Sequence, residues 1–155
     1  MVNEFNINVQ LGLTPVYHDQ LPKVIVRAGG QQLQVWLDQP RVFEFEYTAT
    51  NTSWIEVEFL NKTEGDTVLA TGLDKAVKID FVSFFGIQDP KFIWAGQYTP
   101  VYPEPWFSEQ QPRPNYTVNN TSYLGWNGVW RLDFDVPVFT WIHQIQSHGW
   151  LYNAH

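Results

Sequence analysis

Six stretches of this chain alternate apolar and polar residues with a period of two. They are FNINVQLGL, LQVWL, VFEFEY, IEVEF, VKIDFVS and VWRLDFDV. Successive side chains of a β-strand point to opposite faces, so each stretch is typical of a strand with one buried and one wet face. The best candidate helix, FTWIHQIQS, fits a strand about as well. Many short alternating strands predict an all-β fold, an antiparallel β-sandwich of jelly-roll type.

Length and charge narrow the classes of function. The 155 residues suit one domain spanning 1–155, and a formal net charge of −7 without a basic cluster argues against nucleic acid and anionic membranes as partners. There is no cysteine, which excludes a disulfide framework and a thiolate metal site. The opening MVNEFNINVQ lacks the pattern of a signal peptide, and no run of 18 apolar residues is present. We therefore expect neither an export leader nor a membrane span.

Residues 88–127 break the alternating pattern. The stretch holds six of the ten prolines together with Trp94, Trp106 and Trp126. Because proline interrupts strand ladders, we expect a long Pro- and aromatic-rich excursion over the surface of the sandwich. Its aromatic side chains either bind a partner or cap one open end of the fold.

Two glutamate pairs are predicted to share a hairpin. VFEFEYTATNTSWIEVEF reads as two strands around a turn at 48–53, which would place Glu44, Glu46, Glu56 and Glu58 on one face. Opposed like charges destabilise a sheet, so water, a basic side chain or a cation should offset them. Such a carboxylate pair is also compatible with a glycoside hydrolase, because these enzymes place two carboxyl groups on either side of a sugar.

The loop before the VKIDFVS strand carries oxygen donors suited to calcium, which takes six to eight oxygen ligands. The candidate metal ligands are Asn61, Glu64, Asp66, Asp74 and Asp80. The spacing is not that of an EF-hand, so the chemistry leaves open both a cation site and a simple turn.

Residues 23–86 resemble the calcium-dependent xylan-binding carbohydrate-binding modules. The likeness lies in KVIVRAGGQQLQVWLDQPRVFEFEYTA, in the turn FLNK and in DKAVKID, followed by Gly86. The resemblance implies a β-sandwich, a calcium ion and carbohydrate binding. Lys62 stands where the family pattern has the turn aspartate, and Ala76 where it has an asparagine. Two oxygen donors are therefore missing, which favours a loop that keeps the shape of a cation site without the calcium cofactor.

Aromatic residues are the candidate binding residues. A pyranose ring offers apolar C–H faces and hydroxyl edges, which suit aromatic platforms with polar neighbours. The carbohydrate- or partner-binding candidates are Trp36, Trp54, Trp94, Tyr98, Tyr102, Trp106 and Tyr116. Trp36 and Trp54 lie in the polar phase of their strands, so they are either exposed or packed under the excursion.

The C-terminal part is similar to small structural proteins of tailed cyanobacterial phages, on the Trp-rich stretch GWNGVWRLDFDVPVFTWIHQIQSHGWLYNAH. This resemblance implies a virion location, extracellular after lysis, and an oligomer or larger assembly. Neither a GxSxG, an HExxH nor a phosphate-loop motif is present, and His143 and His148 share neither a strand face nor a helix face.

Together these observations predict a non-catalytic carbohydrate-binding-type β-sandwich. We expect it to act as a phage virion surface, tail or fibre component that contacts other virion subunits or a cell-surface glycan. The alternatives are a purely structural assembly protein with aromatic subunit interfaces and a carboxylate-pair glycoside hydrolase.

Overall fold

Eleven strands and three helices appear in the computed structural model, which describes residues 3–63, 66–68, 70–102, 106–111 and 117–153, without the side chains of residues 106, 107 and 148–153. The strands are β1 Phe5–Val16, β2 Lys23–Ala28, β3 Gln31–Trp36, β4 Arg41–Ala49, β5 Thr52–Phe59, β6 Ala76–Phe84, β7 Ile87–Gln88, β8 Gln97–Pro100, β9 Val118–Asn119, β10 Tyr123–Leu124 and β11 Gly128–Asp135. The helices are α1 Pro90–Trp94, α2 Trp106–Glu109 and α3 Val138–Asn153.

The strands form two antiparallel sheets. The first, sheet A, has the order β10-β6-β1-β4, with β7 paired to β6. The second, sheet B, has the order β3-β2-β5-β11-β8-β9. The chain passes repeatedly from one sheet to the other, and the apolar faces of both enclose one cluster of buried residues. This architecture confirms the predicted all-β sandwich of jelly-roll type.

The alternating pattern assigns the buried faces of β4 and β5 correctly, whereas on β3 the Leu33 side chain expected in the core is 42% exposed. Phe43 and Phe45 of β4 and Ile55 and Val57 of β5 are all buried, as predicted. Neighbouring glutamates on these strands point away from the core, because side chains of a strand alternate between its faces.

The predicted hairpin between β4 and β5 is wrong. β4 pairs with β1 in sheet A, whereas β5 pairs with β2 and β11 in sheet B. Glu44 and Glu46 therefore lie on the outside of one sheet, and Glu56 and Glu58 on the outside of the other. Alternation determines which face of a strand is buried but does not specify its partner, and the connection between Ala49 and Thr52 crosses from one sheet to the other.

The proline-rich excursion is partly built into the sheets. β8 and β9 extend sheet B, and β10 pairs with β6 in sheet A. Helix α1 begins with Asp89 as its N-cap, whose carboxylate accepts a hydrogen bond from the Lys91 backbone N–H at 2.9 Å. Phe92 and Ile93 of this helix are buried, so part of the excursion contributes to the core.

The stretch FTWIHQIQS forms helix α3. Its Val138, Trp141 and Ile142 are buried, a spacing that places them on one helical face. The Trp141 ring packs against Phe84 of β6 and Phe92 of α1, with ring centroids 5.5 and 5.4 Å apart. In the described part of the chain, no helix is both long and apolar enough to cross a bilayer.

Replacing Trp141 with Ala should lower the free energy of unfolding by about 3–5 kcal/mol, because it leaves a cavity where α3 meets the core. Phe139→Ala is the matched control on the same helix, because Phe139 is 56% exposed. This substitution should change the free energy of unfolding by about 0.5 kcal/mol or less. Urea unfolding at neutral pH measures both. Equal losses would mean that α3 does not pack on the core as described.

Candidate functional site

The outer face of sheet B carries a dense polar surface. Its inner side chains, such as Val24, Val57 and Trp130, are fully buried, so their neighbours along each strand point outward. The outward residues include Gln32, Gln34 and Trp36 of β3, Lys23, Ile25 and Arg27 of β2, Trp54, Glu56 and Glu58 of β5, Val129, Arg131, Asp133 and Asp135 of β11, and Gln97 and Thr99 of β8, so two apolar side chains, Ile25 and Val129, interrupt the polar groups.

One row of this surface crosses all six strands. The strand register places Gln32, Arg27, Glu56, Arg131, Gln97 and Asn119 side by side in that order. At a strand spacing of about 4.8 Å, six strands span roughly 24 Å. The row offers alternating hydrogen-bond donors and acceptors along its length, because amide, guanidinium and carboxylate groups follow one another.

Ion pairs within the face neutralise most of its charge. Arg27 Nη2 lies 2.7 Å from Glu58 Oε1, and Arg27 Nε donates a hydrogen bond to Gln32 Oε1 at 3.1 Å. Arg131 lies 3.0 Å from Asp133 Oδ1 and 3.8 Å from Glu56 Oε2. These contacts hold the long side chains in defined positions on a rigid sheet.

Two tryptophans flank the row on opposite sides. Trp36 lies four residues from Gln32 along β3, and Trp54 two residues from Glu56 along β5, which places them about 13 Å and about 7 Å from the row. Trp36 is 57% exposed, so the described part of the excursion does not cover it, whereas Trp54 is half-buried. Lys23 Nζ lies 5.2 Å from the Trp36 ring centroid, and Arg131 Cζ lies 4.7 Å from that of Trp54.

The outer face of sheet A presents amides and carboxylates. Asn8 Nδ2 donates to Glu46 Oε1 at 2.9 Å, and Gln10 Nε2 donates to Glu44 Oε2 at 2.7 Å. Hydrogen bonds from Gln10 and Asn8 lower the pKa of Glu44. An open groove of about 400 Å³ lies at one end of this face, between Asn6, Asn8, Glu46, Thr48 and Phe85.

The loop between β5 and β6 contains two buried lysines. Lys62 and Lys75 have side chains that are only 1% and 2% exposed. Lys62 Nζ donates to Asp74 Oδ1 and, at 2.6 Å, to the Lys75 carbonyl oxygen. Lys75 Nζ donates to the Asn61 carbonyl oxygen at 3.0 Å and lies 3.2 Å from Asp66 Oδ2.

The predicted metal ligands do not converge on one point. Asp66 and Asp74 belong to this loop cluster, but each is bound to a lysine. Asp80 lies on β6 and accepts a hydrogen bond from Thr14 at 2.5 Å, and the Asn61 amide is bound to the Lys23 backbone N–H and the Leu21 carbonyl. Glu64 lies outside the described residues. Across those residues, no group of three or more His, Asp or Glu side chains is placed to hold a metal.

The oxygen atoms near the loop therefore do not fit the calcium ion that the sequence resemblance implies. Calcium requires six to eight oxygen ligands, whereas the Asp66 and Asp74 carboxylates and the carbonyls of Asn61 and Lys75 already accept bonds from ammonium groups. Sequence reasoning identified Lys62 as a departure from the family pattern. It missed Lys75, because a lysine beside an aspartate ordinarily belongs to a solvated surface.

Asp74 accepts three side-chain hydrogen bonds. Burial raises the pKa of this carboxyl, but the bonds from Lys62, Thr67 and Tyr123 outweigh that effect and lower the pKa to about 2. Burial, together with the bond to Asp74, raises the pKa of the Tyr123 phenol. Asp74 thus connects the loop to β10 as well as to Lys62.

The aromatic candidates of the excursion separate into different environments. Trp94 is exposed on α1, whereas Tyr98 is buried in the core and bonded to the Trp126 carbonyl, which corrects its expected place on the surface. Tyr102 is half-buried, with its ring centroid 6.3 Å from that of Trp126. The Trp106 side chain and all of Tyr116 lie outside the described residues.

Comparison with known proteins gives likeness only at the level of structure. No family model and no curated protein sequence matches this chain. One similar solved structure is the selenomethionine form of vCBM60, described with a circular permutation linking two families of calcium-dependent carbohydrate-binding modules. It has a TM-score of 0.49 and 16% identity, with 83% of this chain and 90% of that chain covered. Another is vCBM60 in complex with galactobiose, with a TM-score of 0.44, 16% identity and coverage of 81% and 96%. Likeness at this level does not define a function.

Replacing Asp74 with Asn should remove a pH-dependent part of the stability. The folded pKa of about 2 lies below the unfolded value of about 3.9, so the folded state binds fewer protons. The contribution of Asp74 is complete above about pH 5 and is lost as the pH falls toward 2. The stability difference between the native chain and Asp74→Asn should therefore shrink over that range in urea unfolding curves.

Asp19→Asn is the matched control, because Asp19 is exposed and its loss changes the net charge equally. A difference between Asp74→Asn and the native chain that stays constant from pH 7 to pH 2 would contradict the role given to Asp74.

Proposed function

We propose that this protein is a non-catalytic carbohydrate-binding module that holds a neutral oligosaccharide on the outer face of sheet B. The observation that carries the proposal is the position of Trp36. Its indole is 57% exposed and lies on the sheet beside a row of amide and guanidinium groups. An indole face packs against the C–H face of a pyranose, and the row offers partners for its hydroxyl groups.

The size of the face suits a chain of sugars rather than one. Trp36 and Trp54 lie six residues apart along the strand direction, which corresponds to roughly 20 Å. The polar row passes between them, so a ligand that reached both indoles would cross it. A monosaccharide could contact only one of the two platforms.

Charge favours a neutral ligand. Arg27 and Arg131 are paired with carboxylates of the same face, so neither guanidinium offers an uncompensated charge. The formal net charge of −7 would also repel an acidic polysaccharide.

The arrangement of carboxylates supports binding without catalysis. Glycoside hydrolysis needs two carboxyl groups on either side of one sugar, and one of them must hold a proton. Glu44 and Glu46 lie on the opposite side of the sandwich from Glu56 and Glu58. Glu58 and Glu56 are each paired with a guanidinium of the same face, at 2.7 and 3.8 Å.

Trp36→Ala should weaken binding to neutral oligosaccharides by about 30-fold, which corresponds to about 2 kcal/mol, because it removes the exposed stacking surface. Trp54→Ala should weaken it less, since Trp54 is already half-buried. Isothermal titration calorimetry with xylo-, cello-, manno- and galacto-oligosaccharides measures the affinities.

Phe139→Ala is the control, an exposed aromatic on α3 that should leave the affinity unchanged. Unaltered binding by Trp36→Ala would overturn the proposed face. Release of reducing ends from the same sugars would show an enzyme instead.

A second candidate function is a subunit contact in a larger assembly. Phe85 and Phe139 are both exposed, with ring centroids 5.1 Å apart, and Ile87 is exposed on β7, two residues after Phe85. Exposed apolar groups next to one another are typical of an interface. Self-association in sedimentation velocity, lost in Phe139→Ala, would favour this candidate. The virion location and the part of Trp106 and Tyr116 in assembly stay predictions from the sequence.

A further inference from the structure

We infer that the ammonium groups of Lys62 and Lys75 are the resident cations of the loop between β5 and β6, in place of a divalent metal ion. Each ammonium contacts one carboxylate and one backbone carbonyl oxygen, which are ligand types that calcium also uses. The two lysines thus occupy the oxygen donors that a cation in this loop would need.

The burial of these side chains supports the inference. Lysine is almost never fully buried unless it is paired, because removing an ammonium from water costs several kcal/mol. Both side chains are nevertheless at most 2% exposed, with their charge balanced by Asp66 and Asp74. The Lys62 ammonium also lies 5.3 Å from the centroid of the Trp126 ring.

Charge balance among the described side chains of the loop opposes a metal as an additional occupant. Two ammonium groups and two carboxylates sum to zero, so a divalent ion would add two uncompensated positive charges within a few ångströms of the lysines. Calcium could enter only if the buried lysines left, and their tight packing opposes this.

The position of the cluster explains why a cation is needed. Lys62 follows β5 of sheet B, and Lys75 precedes β6 of sheet A. The Lys62 backbone is held by the Asn127 amide, which accepts its N–H at 2.6 Å and donates to its carbonyl at 3.0 Å, just before β11. Asp74 reaches β10 through Tyr123. The charged cluster therefore joins strands of both sheets at one end of the sandwich.

The first test is the melting temperature of the unmodified protein with 5 mM CaCl₂ and with 5 mM EDTA. A resident metal would raise the melting temperature in proportion to the logarithm of its concentration. We expect the two melting temperatures to agree within about 1 °C, because the lysines supply the positive charge. A rise with calcium or a fall with EDTA would overturn the inference.

The second test removes the ammonium group. Lys62→Met keeps the length of the side chain but leaves Asp74 without its cation, so the melting temperature should fall by about 10 °C. Lys78→Met is the matched control at an exposed position of β6 and should change it by about 2 °C or less.

A double variant keeps the test informative if Lys62→Met fails to fold. Lys62→Met combined with Asp74→Asn leaves neither charge unpaired, so the double variant should melt at a higher temperature than Lys62→Met. If Lys62→Met does not fold but the double variant does, that result supports the inference equally. A Lys62→Met variant that melts like the native protein would overturn it, as would losses that simply add in the double variant.

Discussion

The burial of one face of each sheet against the other determines the rest of this structure. Trp130, Phe43 and Phe59 are among the largest side chains removed completely from water, and they come from strands of both sheets. Burying an apolar side chain of this size contributes roughly 1.5–3 kcal/mol, which sets the orientation of every second residue along a strand. A slip of one residue would expose these side chains and bury their charged neighbours. The outer faces are therefore fixed by the same burial that forms the core.

The outer face of sheet B is the clearest consequence. The buried inner face fixes the register of the six strands of sheet B. Residues far apart in sequence therefore form one continuous polar row on the outer face. Gln32 and Asn119 lie at the two ends of this row, although they are 87 residues apart in the sequence (119 minus 32). A rigid sheet can present such groups in fixed positions, so binding a ligand there needs little ordering of the protein.

Part of this arrangement could be predicted from the sequence. Alternation in VFEFEY and IEVEF assigns the buried and wet faces correctly. The polar phase of Trp36 left two alternatives, an exposed indole or one packed under the excursion, and only the structure distinguishes them. Pairing partners could not be predicted, because β4 and β5 have the same pattern whether they lie in one sheet or in two. The cluster of lysines and aspartates in the loop between β5 and β6 could be predicted from the sequence only in part. Lys62 stands out as a cation at a donor position, but the contact of Lys75 with Asp66 depends on how the loop folds back.

The central claim is that the outer face of sheet B is the surface that binds a neutral oligosaccharide. Mapping chemical-shift changes in NMR spectra during titration with such a sugar tests this claim most directly. The account predicts changes at the Trp36 indole N–H and at the side-chain amides of Gln32 and Gln97, while Asn8 and Gln10 on sheet A stay unchanged. Changes confined to the sheet A face, or to the excursion around Trp94, would contradict it.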